Sequence, residues 1–161
     1  MGLTALKSHL KTLVVVAILI GCGFHGYSQN LRKANEISQK LALETDHYKK
    51  ANLLLELREV QGVPQIESAL DHAERALTIF QNIQNDEGQI RAYFILGKLE
   101  TSVGNEPVAR SYFNRARTIS EEIGDMKSQV KSKVHLGKTY MGSKNADQGL
   151  AYLQEASKSA N

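Results

Sequence analysis

The amino-acid sequence predicts an all-α protein in which antiparallel helix hairpins stack as a solenoid over residues 29–161. Small and large apolar residues recur with a period of 40 residues, and a fixed period of this size is typical of helical repeat proteins. Glycine falls twice at the same place in the unit, at Gly97 and Gly137. The alternation of apolar and polar residues that is typical of β-strands does not occur in the sequence.

The unit 86–124 shows the repeat most clearly, because a break at 103–105 divides it into two helices. Glycine inside a helix costs about 1 kcal/mol relative to alanine. Its use at the same place in two units therefore predicts that the two helices of a hairpin cross at close range. The small residues at the predicted crossings are Gly97 and Gly137 on the first helices, and Ala109 and Gly149 on the second helices.

The segment 1–28 is expected to be a signal peptide. Lys7 and Lys11 precede an apolar run at 13–20, and small residues follow it, which is the layout of a secretory signal. We favour cleavage after Ser28. The alternative is a bacterial lipobox ending at Cys22, which would become the lipidated first residue. The apolar run is shorter than the roughly 20 residues of a membrane span. An uncleaved membrane anchor nevertheless remains an alternative.

A helix over 31–44 is expected to cap the solenoid, because its apolar positions match the second half of a repeat. The first full hairpin is expected at about 46–84, with Asp46 as the helix cap. In its first helix, Glu56 and Leu57 stand where the later units have Leu-Gly. Either the glycine is lost, or this helix is shifted by one residue.

The second and third hairpins are expected at about 86–123 and 125–160. Asp86 is predicted to cap the first helix of the second hairpin, and Asn105 or Glu106 its second helix. The last helix would expose an apolar side at the end of the solenoid. This apolar side would be covered by neighbouring polar residues, by a further domain or by a second copy of the chain.

The order of small and large residues in each unit resembles the tetratricopeptide repeat (TPR) family over residues 46–161. The residues that carry the resemblance are Leu96, Gly97, Ala109, Phe113, Ala116 and Ile119, and then Leu136, Gly137, Tyr140, Gly149, Leu153 and Ala156. The period of 40 rather than the usual 34 resembles variants with lengthened helices. The resemblance implies a right-handed solenoid that acts as a non-catalytic binding scaffold. The export signal makes the chain similar to the N-terminal regions of bacterial TPR-containing sensor kinases.

Charge and composition argue against several other classes of function. Removal of residues 1–28 would leave 18 basic and 17 acidic residues, which is not the basic excess of a nucleic-acid-binding protein. Outside the signal segment, His47, His72 and His135 have no second metal ligand at helical spacing. The sequence contains no glycine-rich phosphate loop and no nucleophile motif. We therefore expect no enzyme activity, no metal and no cofactor.

The candidate partner-binding site consists of basic residues on the first helices, which line the concave groove in the resembled family. Arg91, Lys98, Lys131 and Lys138 form this set, and we call them the basic patch. Phe94 would lie among them, and Arg58 joins them if the first unit keeps the 40-residue spacing. The patch could hold acidic side chains or a terminal carboxylate of a partner; the alternative is an ordinary solvated surface. The asparagines that grip such a carboxylate in the family are not expected at these positions.

Together these features predict an exported scaffold protein, on the periplasmic or extracellular side, that binds an acidic protein or peptide and no nucleic acid. Membrane attachment is expected only if Cys22 is lipidated or the signal segment is uncleaved. The alternatives are a TPR lipoprotein anchored through Cys22 and a truncated extracytoplasmic sensor region of a membrane histidine kinase. An enzyme or small-ligand binder would require a site that the sequence does not reveal.

Overall fold

A computed structural model describes most of the repeat region. The described ranges are 28–61, 66–142 and 144–159, including all side chains except those of 58–61. Apart from Ser28, the expected signal peptide and the alternative lipidation site Cys22 lie outside these ranges.

Within the described ranges the chain forms seven α-helices and no β-strand, so the prediction of an all-α protein is confirmed. They are α1 (28–43), α2 (His47–Gln61), α3 (Ile66–Asn82), α4 (Asp86–Ser102), α5 (Glu106–Glu122), α6 (Met126–Met141) and α7 (Ala146–Ser159). Hairpins form from α2 with α3, α4 with α5, and α6 with α7; α3 packs on α4, and α5 on α6. The first helices α4 and α6 also touch each other directly. None of the described helices combines the length and the apolar character of a membrane span.

Side-chain caps determine where the first helices begin. Asn85 Oδ1 accepts a hydrogen bond from the Gly88 N–H at 2.6 Å, which satisfies a donor that the helix itself leaves unpaired. The prediction that Asp86 caps α4 was wrong by one residue, because Asp86 lies inside the first turn and its carboxylate accepts from Gln89 Nε2. The equivalent caps elsewhere join the Lys49 N–H to Asp46 Oδ1 at 2.8 Å and the Ser128 N–H to Asp125 Oδ1 at 3.1 Å.

The capping residues also define the spacing of the hairpins. The interval from Asn85 to Asp125 equals the 40-residue period of the sequence. The interval from Asp46 to Asn85 is one residue shorter. The helix α2 is therefore shifted by one residue, and the glycine is absent as well, because Arg58 takes the place of Gly97 in this register. Leu57 then aligns with Leu96, and both side chains are buried.

The predicted glycine crossings are present in the second and third hairpins. A Cβ atom on Gly137 would lie 3.0 Å from the Gly149 carbonyl oxygen, and one on Gly149 would lie 2.8 Å from the Gly137 oxygen. In the second hairpin a Cβ on Gly97 would lie 2.5 Å from Phe113 Cε1. Close approach of α6 to α7 and of α4 to α5 therefore depends on the missing side chains.

A further glycine contact between hairpins was not anticipated from the sequence. A Cβ on Gly88 would overlap the ring of Phe80, which is completely buried. This glycine lies in the first turn of α4, where it lets the end of α3 approach.

Buried apolar side chains form one cluster between α2, α3 and α4 and another between α4, α5 and α6. A smaller cluster of Ala34, Ile37 and Leu57 packs α1 against α2. Each hairpin thus covers the apolar side of its neighbour, as solenoids require, and α4 takes part in both main clusters. This arrangement holds α4 and α6 side by side with their polar faces in solvent.

Candidate partner-binding surface

The structure places the four residues of the basic patch on adjacent first helices. Arg91 and Lys98 lie on α4, and Lys131 and Lys138 lie on α6. All four side chains are exposed. Each pair is separated by seven residues, nearly two helical turns, so its members project on the same side of their helix.

Two residues of the basic patch have defined positions. Arg91 Nη1 donates a hydrogen bond of 2.7 Å to Asn52 Oδ1 on α2. The Lys131 ammonium lies 4.2 Å from the centre of the Phe94 ring, a cation–π geometry that is worth about 0.5–1 kcal/mol at exposed sites. Phe94 itself is only 3% exposed. It therefore positions Lys131 rather than offering a partner an open apolar surface.

Asn52 was missed by the sequence analysis, which expected no asparagine beside the basic residues. It precedes Arg91 by 39 residues, so it occupies the same place in α2 as Arg91 does in α4. A strict 40-residue period hides this equivalence. The side chain amide also donates from Nδ2 to the Tyr48 carbonyl oxygen at 2.8 Å, so both of its ends are used within the protein.

The shorter first interval also changes the place of Arg58. Its position on α2 aligns with Gly97 and not with Lys98, and Glu59 takes the place that corresponds to Lys98. The condition under which Arg58 joins the basic patch is therefore not met. The described register confines the patch to α4 and α6.

His135 lies half-buried in the middle of the patch. Its imidazole stacks on Phe113, with the ring centres 4.6 Å apart and an interplanar angle of 12°, and it lies 5.7 Å from Phe94. The pKa of His135 is lowered to about 4, mainly by burial and in addition by the positive charges of Lys98, Lys131 and Lys138. The imidazole is therefore neutral at pH 7, and the positive charge of the patch comes from its lysines and Arg91.

Mutual repulsion among the basic residues is visible at Lys131 as well. Burial lowers the pKa of Lys131, and the nearby ammonium groups of Lys98 and Lys127 lower it further, while Asp125 acts in the opposite direction. Among the described side chains, no member of the basic patch forms an ion pair. The ion pairs that do form in this part of the chain are Lys33–Glu56, Arg75–Asp71, Arg110–Glu106, Arg117–Glu121 and Lys133–Glu155.

A cleft with a volume of about 290 Å³ lies at the N-terminal ends of α4 and α6. Its lining residues are Glu87, Ile90, Arg91, Phe94, Asp125, Lys127, Ser128 and Lys131. It is large enough for a side chain or a short stretch of extended chain. The cleft joins the Arg91–Lys131 side of the basic patch to two acidic residues.

A second cleft, of about 490 Å³, lies between α1 and α2 and was not predicted. Its lining residues are Lys40, Leu43, Glu44, Lys49, Asn52, Leu53 and Glu56. Basic and acidic side chains occur there in equal number, so charge selects no partner. No group of three or more potential metal ligands occurs among the described residues.

Helix hairpins with small residues at their crossings, and first helices side by side on one face, define the class of this chain: a TPR-like helical repeat protein. Among solved structures, it is similar to BtubC (BKLC) from P. vanneervenii, with 19% identity over 83% of this chain and a TM-score of 0.75. It is also similar to the TPR domain of Arabidopsis FLU, with 16% identity over 76% of this chain, 95% of that domain and a TM-score of 0.57. The chain spans 57% of the length of BtubC. No family model and no curated protein matches the sequence.

Proposed function

We propose that this protein is an exported, non-catalytic scaffold that binds an acidic segment of a partner protein at the basic patch. The observation that carries the proposal is the cluster of exposed cations on α4 and α6, which have no ion-pair partner among the described side chains. The TPR-like fold of the similar structures supports a protein-binding scaffold in general.

Electrostatics give the patch a preference for acidic partners. Clustered charges of one sign on adjacent helices reinforce one another's field, which raises the local concentration of oppositely charged segments and the rate of encounter. An acidic partner also relieves the repulsion that lowers the pKa of Lys131. Each exposed charge pair contributes only about 0.2–1 kcal/mol, so binding requires several pairs at once and weakens with salt.

The binding proposal is tested by recovery of partners from native extract at low salt. The purified chain is compared with a variant in which the basic patch is reversed to glutamate. The control reverses four exposed lysines outside the patch, Lys40, Lys49, Lys144 and Lys158, so the net charge is the same. We expect the patch variant to lose acidic partners that the control retains. Recovery of the same partners in the same amounts by both variants would contradict the proposal.

Export is proposed from the apolar run at 13–20 and the small residues before Gln29. Intact-mass measurement of the protein from a membrane-free extracytoplasmic fraction should give a chain that begins at Gln29. A lipid-modified start at Cys22 would instead support the lipoprotein alternative. A cytoplasmic chain that begins at Met1 would contradict export, and continuation of the same reading frame into a kinase would favour the sensor alternative.

A further inference from the structure

His135 lies between two lysines on the same side of α6. Lys131 precedes it by four residues and Lys138 follows it by three, so the three side chains share one face of the helix. The corresponding rises along the helix axis are about 6 Å and about 4.5 Å. A lysine side chain can span such a distance, so both ammonium groups can reach the edge of the imidazole.

The packing of His135 leaves its ring nitrogens accessible. The ring stacks on Phe113 and lies 5.7 Å from Phe94. Neither ring nitrogen is among the buried polar atoms without a partner, and neither is hydrogen-bonded to another residue of the described ranges. Both nitrogens therefore reach solvent. A neutral imidazole has one N–H donor, and here it is held in place by the two aromatic rings.

The helix α4 adds an aromatic ring and a further charge to the same place. The Lys131 ammonium lies 4.2 Å from the centre of the Phe94 ring, which also borders His135. The positive charge of Lys98, one turn after Phe94, acts on both Lys131 and His135. Positive charge therefore converges on the accessible edge of the imidazole from both helices, and it favours an anion at that position.

The donors around His135 match a phosphate monoester better than a carboxylate. A phosphate monoester carries a charge of about −1.5 to −2 at neutral pH and three strong acceptor oxygens, whereas a carboxylate has a single charge and two oxygens. Two ammonium groups and one imidazole N–H can each donate to a different phosphate oxygen. Hydrogen bonds between ionised groups are roughly twice as strong as neutral ones. A carboxylate has fewer oxygens than this group has donors.

The neighbouring cleft favours a phosphate that is attached to a protein segment. Phe94 and Lys131 line the cleft of about 290 Å³ at the N-terminal ends of α4 and α6, together with the apolar side chain of Ile90. This volume suits one side chain or a short stretch of chain. A residue next to the phosphorylated one can therefore enter the cleft, which a free phosphate would leave unused.

We propose that Lys131, His135 and Lys138 form a binding site for a phosphorylated side chain of a partner protein. This inference rests on the proposed function and adds the chemical group that the basic patch recognises. Lys98 contributes to the site through its charge. Arg91, whose guanidinium is bonded to Asn52, lies outside the site.

The test compares two labelled peptides by fluorescence anisotropy at low salt and about pH 7.5. One peptide has a central phosphoserine followed by alanine, and the other has two glutamates at these positions. Both are flanked by glycines and blocked at their ends, so each carries a charge of about −2. A surface that responds to charge alone would bind both equally. We expect the phosphoserine peptide to bind at least fivefold more tightly.

Variants locate the site on α6. The double change Lys131→Gln and Lys138→Gln should weaken binding of the phosphoserine peptide at least tenfold. His135→Phe keeps a ring against Phe113 but removes the donor, and it should reduce the preference for phosphoserine at least threefold. The control, Lys144→Gln with Lys158→Gln, removes the same number of charges elsewhere and should stay within twofold. Circular dichroism of each variant checks that the helices are retained.

The outcomes separate this inference from the proposed function. If both peptides bind equally and the double variant weakens both, the patch binds acidic segments but the phosphate inference is overturned. An unchanged preference in His135→Phe would overturn the assignment of the site to the imidazole. If neither peptide responds to the double variant or to reversal of the whole basic patch, both proposals fail.

Two further probes distinguish the source of the phosphate. Inorganic phosphate should displace the phosphoserine peptide only at concentrations at least tenfold above the dissociation constant of the peptide. Displacement at an equal concentration would mean that the peptide contributes nothing beyond its phosphate, and the assignment to a partner segment would be overturned. Sedimentation with phosphatidylcholine vesicles that contain phosphatidic acid should recover no protein. Binding to these vesicles but not to the phosphoserine peptide would assign the site to a membrane surface instead.

Discussion

The neutral state of His135 predicts a loss of stability in mild acid. Its pKa of about 4 in the folded chain lies below the ordinary value of 6.5, so the unfolded chain binds a proton more readily than the folded chain does. The contribution to stability is complete above pH 6.5 and declines as the pH falls from 6.5 towards 4. Below pH 4 both states are protonated, and no further change comes from this residue.

The size of the effect follows from the two pKa values. Between pH 7 and pH 5 the free energy of unfolding falls by about 2 kcal/mol if the whole difference applies. Because the imidazole keeps some contact with solvent, screening reduces the expected fall to about 1 kcal/mol. Most carboxyl groups stay ionised in this window, which limits their interference.

Urea unfolding at pH 7 and pH 5, followed by far-ultraviolet circular dichroism, measures this change. The comparison is with His135→Gln, which keeps a polar side chain but does not titrate. The variant should lose about 1 kcal/mol less than the wild type on acidification. His72, whose pKa is also lowered, mainly by burial, is present in both proteins and cancels. An equal fall in both proteins would refute the assignment of the acid response to His135.

Three further changes test the packing and the capping of the helices. Gly137→Leu should cost about 1–3 kcal/mol by overpacking, because its side chain would meet the Gly149 backbone; exposed Lys144→Ala, the control in the same thermal melts, should stay within about 0.5 kcal/mol. Equal melting temperatures would contradict the crossing geometry. Asn85→Ala should cost about 1 kcal/mol by removal of the cap on α4, whereas Asp86→Ala should cost less in the same assay. A larger loss from Asp86→Ala would mean that the cap is assigned to the wrong residue.

The fold was predictable because packing imposes a period on the residues that face the core. Ala69, Ala109 and Gly149 are all buried on second helices, and their regular spacing is visible without a structure. Likewise, Gly97 and Gly137 mark crossings because a glycine in a helix is unfavourable unless space requires it. Positions that repeat for steric reasons leave a regular trace in the sequence.

The surface was less predictable, because nothing forces exposed residues to repeat. The partnership of Asn52 with Arg91 depends on the one-residue shift of α2, which the sequence leaves as an alternative and the caps at Asp46 and Asn85 establish. The position of Lys131 over Phe94 depends on side-chain rotamers on two helices, and the sequence period contains no information about rotamers. For the same reason the sequence analysis placed Phe94 among the basic residues but did not foresee that its ring is buried.

The two kinds of glycine crossing differ in what they permit during evolution. At Gly97 the limiting atoms belong to the Phe113 side chain, so a smaller residue at 113 could compensate for a larger one at 97. The first hairpin has such a combination in its sequence, with Arg58 at the glycine position and Ala73 at the position of the phenylalanine. At Gly137 and Gly149 the limiting atoms include backbone oxygens, which no amino-acid substitution can remove. In the last hairpin both glycines must therefore be kept while other positions change. In the second hairpin a larger residue on one helix can be accommodated by a smaller residue on the other.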